Sequence, residues 1–335
     1  MAHMVATTSG ESSKRRPALR LVRTQGMERQ DWLAVRQRGI GSSDSAAAAG
    51  LNPYQSPLEL WMHKTGRATP VDANTLGDDH NLLYWGQLLE PIVAAHYTRR
   101  TGLCVRRVNA VLQHPEHPWM LANIDREVMG SPEVQLLECK TAGIQGARLW
   151  RDGVPEYVQL QVMHQLAVTG KQAADVVVLI GGHELQIHRI QRDEGMIEHL
   201  IALERDFWSY VENDVPPLAD GSSSAESALR LLYPKDSGAT VDWSGDLVMS
   251  ALFSDLLAVR QQQETAGQQE ALVKQTIIQR MGDATRAIFD GGDVTFKRSK
   301  DGTALDLERL EREQPDLLQS YRTVKPGSRR FLVHT

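Results

Sequence analysis

The tripeptide Glu138-Cys139-Lys140 places an acidic and a basic side chain two positions apart in a stretch that is predicted to be a β-strand. Alternate side chains of a strand project from the same face, so Glu138 and Lys140 should point together and Cys139 away. Asp125 lies upstream on the preceding predicted strand. A hairpin turn near residues 130–133 would bring it beside Glu138. Two carboxylates there could hold a hard cation such as Mg²⁺, and the lysine could orient or deprotonate a water and offset negative charge.

The pattern Glu-x-Lys alone is a weak signal, because exposed strand faces commonly alternate charges. Glu90 adds to it, since it lies in the predicted helix 81–100 among Leu88, Leu89 and Ile92. A carboxylate in apolar surroundings needs a partner. A metal ion and an arginine are both open as that partner.

The predicted helix 155–169 carries Tyr157, Gln161 and His164 on one face. Polar side chains on a helix that covers a sheet suggest that they reach a site. Gln161 could bind the attacking water or the scissile phosphate. His164 is better explained as a hydrogen-bonded interior histidine.

The composition limits the possible classes of protein. The chain has 335 residues, 41% hydrophobic content, two cysteines and a net charge of -5. No apolar run approaches the roughly 20 residues that a membrane helix needs, and two cysteines make neither a zinc pattern nor a disulfide framework. The negative charge argues against a simple basic DNA-binding domain. It does not exclude a metal site built from carboxylates. A cytoplasmic location is expected.

Four regions are predicted along the chain: a disordered basic tail over 1–26, an α/β domain over 27–217, a linker over 218–244, and a helical and hairpin region over 245–335. The basic run at residues 14–16 fits either an arm that attracts nucleic acid or a solvated tail. Helix signals cover 28–38, 57–65, 81–100, 155–169 and 194–213, with Ser43 and Ser56 as N-caps. Strand signals cover 103–113, 119–128, 134–140, 176–180, 183–191 and 330–333. A long helical pattern at 245–282 fits either a coiled-coil arm or a helix packed on the core.

Six separated motifs, in order across about residues 30–217, resemble the YqaJ-type viral recombinase nucleases, relatives of phage lambda exonuclease. They are GIGSSDSAAAAGLNPYQSPLELWMHKTG, WGQLLEP, HPEHPWMLANIDREV, ECKTA, GVPEYVQLQVMHQLAVTG and FWSYVENDVPP. One departure concerns the first aspartate, since family members often have Ser-Pro-Asp-Gly where this chain has Asn123-Ile124-Asp125-Arg126. The carboxylate is kept, but the geometry of the flanking residues is put in doubt.

The resemblance implies a PD-(D/E)xK nuclease core, with a central mixed sheet flanked by helices, followed by a C-terminal helical arm and a small β-hairpin. It implies a Mg²⁺-dependent 5′→3′ exonuclease that acts on linear double-stranded DNA ends, with two ions per site and Mn²⁺ as a substitute. Partners would be a single-strand annealing protein and further copies of the chain, for example in a trimer, in the cytoplasm of a bacterial host of a phage or prophage. An endonuclease or repair nuclease on the same core, and a non-catalytic DNA-end-binding scaffold, are the alternatives.

The resemblance also implies roles for individual residues. The catalytic residues are Asp125, Glu138, Lys140 and Gln161. The metal ligands are Asp125, Glu138, the Cys139 carbonyl and Glu90. Arg36 and Ser43 correspond to the residues that bind the 5′-phosphate. Ser42, Arg126 and Tyr157 are possible DNA contacts.

Overall fold

The computed structural model describes residues 18–68, 82–325 and 327–334. It divides into two compact units, Met1–Pro234 and Lys235–Thr335. The basic run of the predicted tail and the predicted loop at 72–80 lie outside the described residues.

The first unit alternates helices and strands along the chain. In order they are β1 (Leu19–Arg23), α1 (Arg29–Gln37), β2 (Ile40–Gly41), α2 (Ser45–Ala48), α3 (Pro57–Lys64), α4 (Leu82–Thr101), β3 (Val105–Arg107), β4 (Ala110–Gln113), β5 (Met120–Ala122), β6 (Arg126–Val128), β7 (Leu136–Ala142), α5 (Glu156–Thr169), β8 (Ala173–Ile180), β9 (Glu184–Gln191), α6 (Glu194–Glu212) and α7 (Ser223–Leu232).

These strands form two sheets. The larger has the order β3-β6-β7-β8-β9, in which only β7 and β8 run parallel. The smaller has the order β1-β4-β5-β2. The bend at residues 123–125 leads from β5 in the small sheet to β6 in the large one. Since β6 is the neighbour of β7, this bend is brought next to the strand that carries Glu138.

Helices cover both faces of the large sheet. On one face α4 contributes Val93, Ala94 and Tyr97 to a cluster with Leu137 and Val177. On the other face α5 and α6 pack against the remaining core residues of β7 and β8, among them Leu136, Val176 and Val178. Adjacent residues of β7 therefore face different helices, as strand alternation requires. The predicted α/β class with a central mixed sheet flanked by helices is confirmed.

Several sequence-based boundaries were wrong. The stretches 103–113 and 119–128 each divide into two strands, β3 with β4 and β5 with β6, which lie in different sheets. The strand β1 lies inside the predicted disordered tail, because it pairs with β4. The helix α7 lies inside the predicted linker, because it packs against α3. No strand is assigned over 330–333.

The cap assignments had mixed outcomes. Ser56 caps α3 as predicted, with its Oγ accepting from Glu59 N at 3.1 Å. Ser43 is no N-cap, because residues 42–44 form a 3₁₀ turn and Asp44 precedes the four-residue helix α2. Ser43 therefore does not lie at the N-terminus of a long helix, whose dipole would have supported its predicted role in binding phosphate.

The second unit is built around the 35-residue helix α8 (Leu247–Met281), which contains no buried residue. The hairpin of β10 (Arg286–Phe289) and β11 (Gly292–Thr295) follows, and then the short helices α9 (Leu307–Glu313) and α10 (Pro315–Ser320). The predicted helical region with a small hairpin is thus present. Among the described helices of the chain, none is both long and apolar enough to cross a membrane.

Candidate active site

Asp125 and Glu138 come together through the hairpin of β6 and β7. Asp125 lies in the bend just before β6, rather than within the strand as predicted, and Glu138 lies in the middle of β7. The register pairs Arg126 with Leu137, so the residue before Arg126 faces the one after Leu137. The Cys139 amide donates to Oδ2 of Asp125 at 2.9 Å, which fixes this carboxylate beside β7. The predicted proximity of the two carboxylates is therefore observed.

Lys140 and Gln161 converge on the same carboxylate. Lys140 Nζ lies 2.8 Å from Oε1 of Glu138 and donates to Oε1 of Gln161 at 2.8 Å. Gln161 Nε2 donates to Oε1 of Glu138 at 2.6 Å. The three side chains form a closed hydrogen-bonded triangle. Glu138 and Lys140 lie on one face of β7, as strand alternation predicts.

Gln165 is a site residue that sequence reasoning missed. Its Nε2 donates to the second carboxylate oxygen of Glu138 at 2.7 Å. The available signal was its position, one helical turn after Gln161 on α5. With both oxygens held from α5, the side chain of Glu138 is fixed and only 5% exposed.

The charges of this cluster oppose one another. Burial raises the pKa of Asp125 well above its usual range, and the neighbouring charges of Glu138 and Glu90 raise it further. A divalent cation bound between two buried carboxylates would relieve their repulsion. Burial alone would lower the pKa of Lys140, but Glu138 reverses this, and the net pKa is raised. Lys140 is therefore an ammonium, suited to offsetting negative charge rather than to removing a proton from water.

Glu90 is held by an arginine. Arg126 Nη1 donates to Oε1 of Glu90 at 2.5 Å and to the Asp125 carbonyl at 2.7 Å. Of the two partners left open for Glu90, the structure shows the arginine. Arg126 is itself buried, at 8% exposure, so its guanidinium is committed to these contacts.

The donor set available to a cation is small. Over residues 18–68, 82–325 and 327–334, no three side chains of Asp, Glu, His or Cys form a metal-binding group. Burial and the charge of Asp125 raise the pKa of the Cys139 thiol, which keeps it protonated. The fit is therefore to a hard cation held by the oxygens of Asp125 and Glu138, completed by carbonyl or water oxygens.

Arg36 and Ser43, the residues predicted to bind a 5′-phosphate, are in contact. Arg36 Nη2 donates to Ser43 Oγ at 2.8 Å. Both line a cavity of about 700 Å³ that also contains Gln161 at its wall. A Cβ at Gly41 would lie 3.1 Å from Arg36 Nη2 and 3.2 Å from Asp44 Oδ2, so a larger residue there would crowd both side chains. One cavity therefore connects the predicted phosphate ligands to the triangle of Glu138, Lys140 and Gln161.

Two further charged residues of this cavity, Asp44 and Lys64, escaped the sequence analysis. Asp44 binds Arg36 through one carboxylate oxygen at 2.5 Å and Lys64 through the other at 2.6 Å. Burial alone would raise the pKa of Asp44, but the two cations hold it well below its usual range. The Gly-Ser-Ser-Asp sequence gave no sign that a distant lysine on α3 completes this cluster.

The remaining predicted residues have different environments. Ser42 is 5% exposed, which argues against a DNA contact. Tyr157 lines the 700 Å³ cavity and makes an edge-on contact with Tyr54 at 5.7 Å between ring centroids. His164 is fully buried and bonds Glu204 at 2.7 Å, as expected of an interior histidine.

Comparison with known proteins identifies the family. The model of the YqaJ-like viral recombinase domain matches residues 31–172. Protein YqaJ of Bacillus subtilis (strain 168) is 32% identical over 304 residues, which cover 89% of this chain and 92% of that protein. This chain belongs to the YqaJ-like viral recombinase family. The resemblance inferred from the six motifs is thereby confirmed.

Two solved structures show more remote likeness to this YqaJ-like protein. An alkaline exonuclease from Laribacter hongkongensis is 21% identical, and the match covers 55% of this chain and 93% of that chain with a TM-score of 0.44. A phage-related exonuclease from Haemophilus somnus is 10% identical, covering 55% of this chain and 99% of that chain with a TM-score of 0.38.

Proposed function

We propose that this YqaJ-like protein is a divalent-metal-dependent exonuclease that degrades linear double-stranded DNA in the 5′→3′ direction. The observation that carries the proposal is the triangle of Glu138, Lys140 and Gln161 beside Asp125. It combines acidic oxygens for a cation, a fixed ammonium and an amide in one small space. The PD-(D/E)xK arrangement that the motifs imply has these parts.

The cation is expected to be Mg²⁺, with Mn²⁺ as a substitute and two ions per site. Asp125 and Glu138 would hold it, with the Cys139 carbonyl as a further oxygen ligand. When bound, such an ion supplies positive charge at the scissile phosphate and lowers the pKa of a water. Glu90 contributes negative charge to this region while it remains paired with Arg126.

The chain's own residues do the rest of the chemistry. Lys140 holds an ammonium where the phosphate gains negative charge in the transition state. Gln161 has its carbonyl oxygen on Lys140 and its amide on Glu138, so its rotamer is fixed. Gln165 fixes the far oxygen of Glu138. These contacts preorganise the site before DNA arrives, which limits the reorganisation that the reaction needs.

A digestion experiment tests the activity. Linear 5′-phosphorylated duplex and closed circular duplex are each incubated with Mg²⁺, and again with a chelator. An exonuclease degrades only the linear duplex and only with the ion, and a label on each strand reports the polarity. Cleavage of the closed circle would favour the endonuclease alternative. Binding of ends with no cleavage under any condition would favour the scaffold.

End recognition is assigned to Arg36 and Ser43. A guanidinium offers a planar fork of donors that matches phosphate oxygens, and Arg36 is already oriented by Ser43 and Asp44. We expect the wild type to degrade a 5′-phosphorylated duplex faster than a 5′-hydroxyl duplex. Arg36→Ala should lose most of that ratio while still cutting slowly. An unchanged ratio in Arg36→Ala would remove Arg36 from this role.

The proposed exonuclease would act in DNA recombination. A 5′→3′ exonuclease leaves 3′ single strands, which are the substrate of a phage-type strand-annealing protein. Assembly into a homo-oligomer, such as a trimer, and a cytoplasmic location in a bacterial host complete the proposal. Light scattering of the purified protein, with and without DNA, measures the number of copies.

A further inference from the structure

A second groove lies between two edge strands of the first unit. It has a volume of about 610 Å³ and is lined largely by residues of β1, β3 and the turn after β3. β1 is the edge of the small sheet and β3 the edge of the large one. Its charged lining residues are Arg20, Arg23, Arg106, Arg107 and Glu127.

The groove carries a concentrated positive charge on a chain whose net charge is -5. Its one acidic residue, Glu127, is shared by two cations, at 2.6 Å from Arg106 and 3.5 Å from Lys171. The hydrogen bond from Arg106 lowers the pKa of Glu127, so this carboxylate stays ionised and engaged. Arg20 and Arg107 are exposed and have no ion-pair partner in the described part of the chain. Their charge is available to a ligand.

The groove adjoins the candidate active site through strand pairing. Arg107 is the Cα partner of Arg126, the residue that follows Asp125. Neighbouring strands lie about 4.8 Å apart, so the groove begins one strand from the acidic bend. Arg20 and Arg23 extend it along β1, where three residues span about 10 Å. An extended polyanion in the groove would therefore pass more than one cation.

We infer that this groove binds the phosphodiester backbone of DNA next to the cleavage site. The inference rests on the proposed nuclease function and adds a binding surface to it. Guanidinium groups make short, charge-assisted hydrogen bonds to phosphate, and each neutralised phosphate releases counterions. The competing explanation is that arginines on edge strands prevent pairing with other chains. That explanation predicts no effect of these arginines on DNA binding.

The test measures how the affinity for DNA depends on salt. A fluorescent duplex and a single strand of the same length are titrated with the full chain in chelator, between about 50 and 200 mM salt. Arg20→Gln/Arg107→Gln is compared with Arg99→Gln/Arg260→Gln, which removes the same charge from two exposed positions outside the groove. Arg20→Lys/Arg107→Lys keeps the charge. Thermal unfolding of each variant verifies the fold.

We expect the Gln pair in the groove to weaken binding and to reduce the slope of log affinity against log salt. The reduction should be about 1.8 for duplex or about 1.4 for single strand, from roughly 0.9 and 0.7 per lost contact. The probe that loses slope identifies which DNA occupies the groove. The Lys pair and the control pair should keep the wild-type slope.

The groove assignment is overturned if the Gln pair keeps the wild-type slope on both probes, or if the Lys pair loses slope equally. In either case a wild type that still digests linear duplex leaves the nuclease proposal intact. A wild type that binds DNA with the expected slopes and never cleaves it refutes the nuclease proposal and retains the groove. A wild type that binds neither probe and does not digest linear duplex with Mg²⁺ refutes both.

Discussion

Lys64 donates a hydrogen bond of 2.6 Å from its ammonium to Oδ2 of Asp44, and both side chains are buried. The other oxygen of Asp44 binds Arg36, and Lys64 also donates to the Arg36 carbonyl at 2.9 Å. Asp44 therefore fixes two cations at the wall of the 700 Å³ cavity. The proposed site for a terminal phosphate therefore has two positive groups already held in place.

Asp44→Asn should reduce the preference for 5′-phosphorylated ends, because Arg36 loses the group that orients it. It should also destabilise the fold by about 3–5 kcal/mol, since removing one charge of a buried cluster leaves the others uncompensated. Rates on 5′-phosphate and 5′-hydroxyl duplexes and urea unfolding measure the two effects. The control Asp214→Asn breaks an exposed pair with Arg67 and should change neither. An unchanged rate ratio in Asp44→Asn would show that Arg36 is oriented without it.

Lys140→Ala should lower the cleavage rate by about 10²-fold or more, because the transition state loses a fixed positive charge. Glu138 remains held by Gln161 and Gln165, so the fold and DNA binding should persist. Single-turnover digestion and anisotropy measure the two properties separately. Lys274→Ala, which removes an exposed lysine from α8, serves as the matched control. Cleavage by Lys140→Ala at the wild-type rate would refute the catalytic assignment.

Asp125→Asn and Glu138→Gln should each weaken the binding of Mg²⁺ or Mn²⁺, because hard cations depend on carboxylate charge. Glu90→Gln should have a smaller effect, since its carboxylate is already paired with Arg126. Calorimetric titration of the three variants gives the order of affinities. Equal losses in all three would make Glu90 a ligand of the same rank. Unchanged affinity in Asp125→Asn and Glu138→Gln would place the ion elsewhere.

The buried pair of His164 and Glu204 predicts a pH-dependent stability. Both ring nitrogens have acceptors, Glu204 at 2.7 Å and the Leu121 carbonyl at 2.9 Å, which favours the imidazolium. Burial alone would lower the pKa of His164, but Glu204 raises it above its usual value. The pair's contribution is therefore complete below the unfolded pKa of about 6.5 and is lost as pH rises through the higher folded pKa.

His164→Gln/Glu204→Gln should remove this dependence without leaving a lone buried charge. Urea unfolding of wild type and variant across the pH range gives the difference. His114 and His117 have pKa values lowered by burial, to about 4 for His114, so they destabilise the fold as pH falls. The charge of His164 lowers the pKa of His114 and that of Glu204 raises the pKa of His117, so the difference is read above about pH 7, where both rings are neutral. Asp44, the other charge that acts on His164, stays ionised throughout. A difference that does not vary with pH would contradict the imidazolium.

A chain that ends at Pro234 should retain hydrolysis of short DNA, because every residue of the candidate site lies in the first unit. A chain that ends at Pro217 should be less stable, since it lacks α7. Ser224 of α7 accepts from the Ser56 amide at 2.8 Å, and the helix buries Ala225 and Ala228. Melting temperature and digestion of a short duplex compare the two. Loss of all hydrolysis in a folded chain ending at Pro234 would assign a catalytic role to the second unit.

The sequence by itself determined the features that depend on local periodicity. Strand alternation placed Glu138 and Lys140 on one face, and the helical spacing brought Gln161 to the same cluster. The pair of Ser56 and Glu59 marked the start of α3, because a capping contact joins residues close in the chain. The order of the six motifs also identified the family.

Only the tertiary structure decided which partners distant residues take. Residues 103–113 and 119–128 each look like one continuous strand, yet their ends pair with different sheets. The ion pairs of Glu90 with Arg126 and of Asp44 with Lys64 each join residues on separate elements. Such pairs form because burying a charge without a partner is costly, and no local pattern reveals which opposite charge the fold brings within reach.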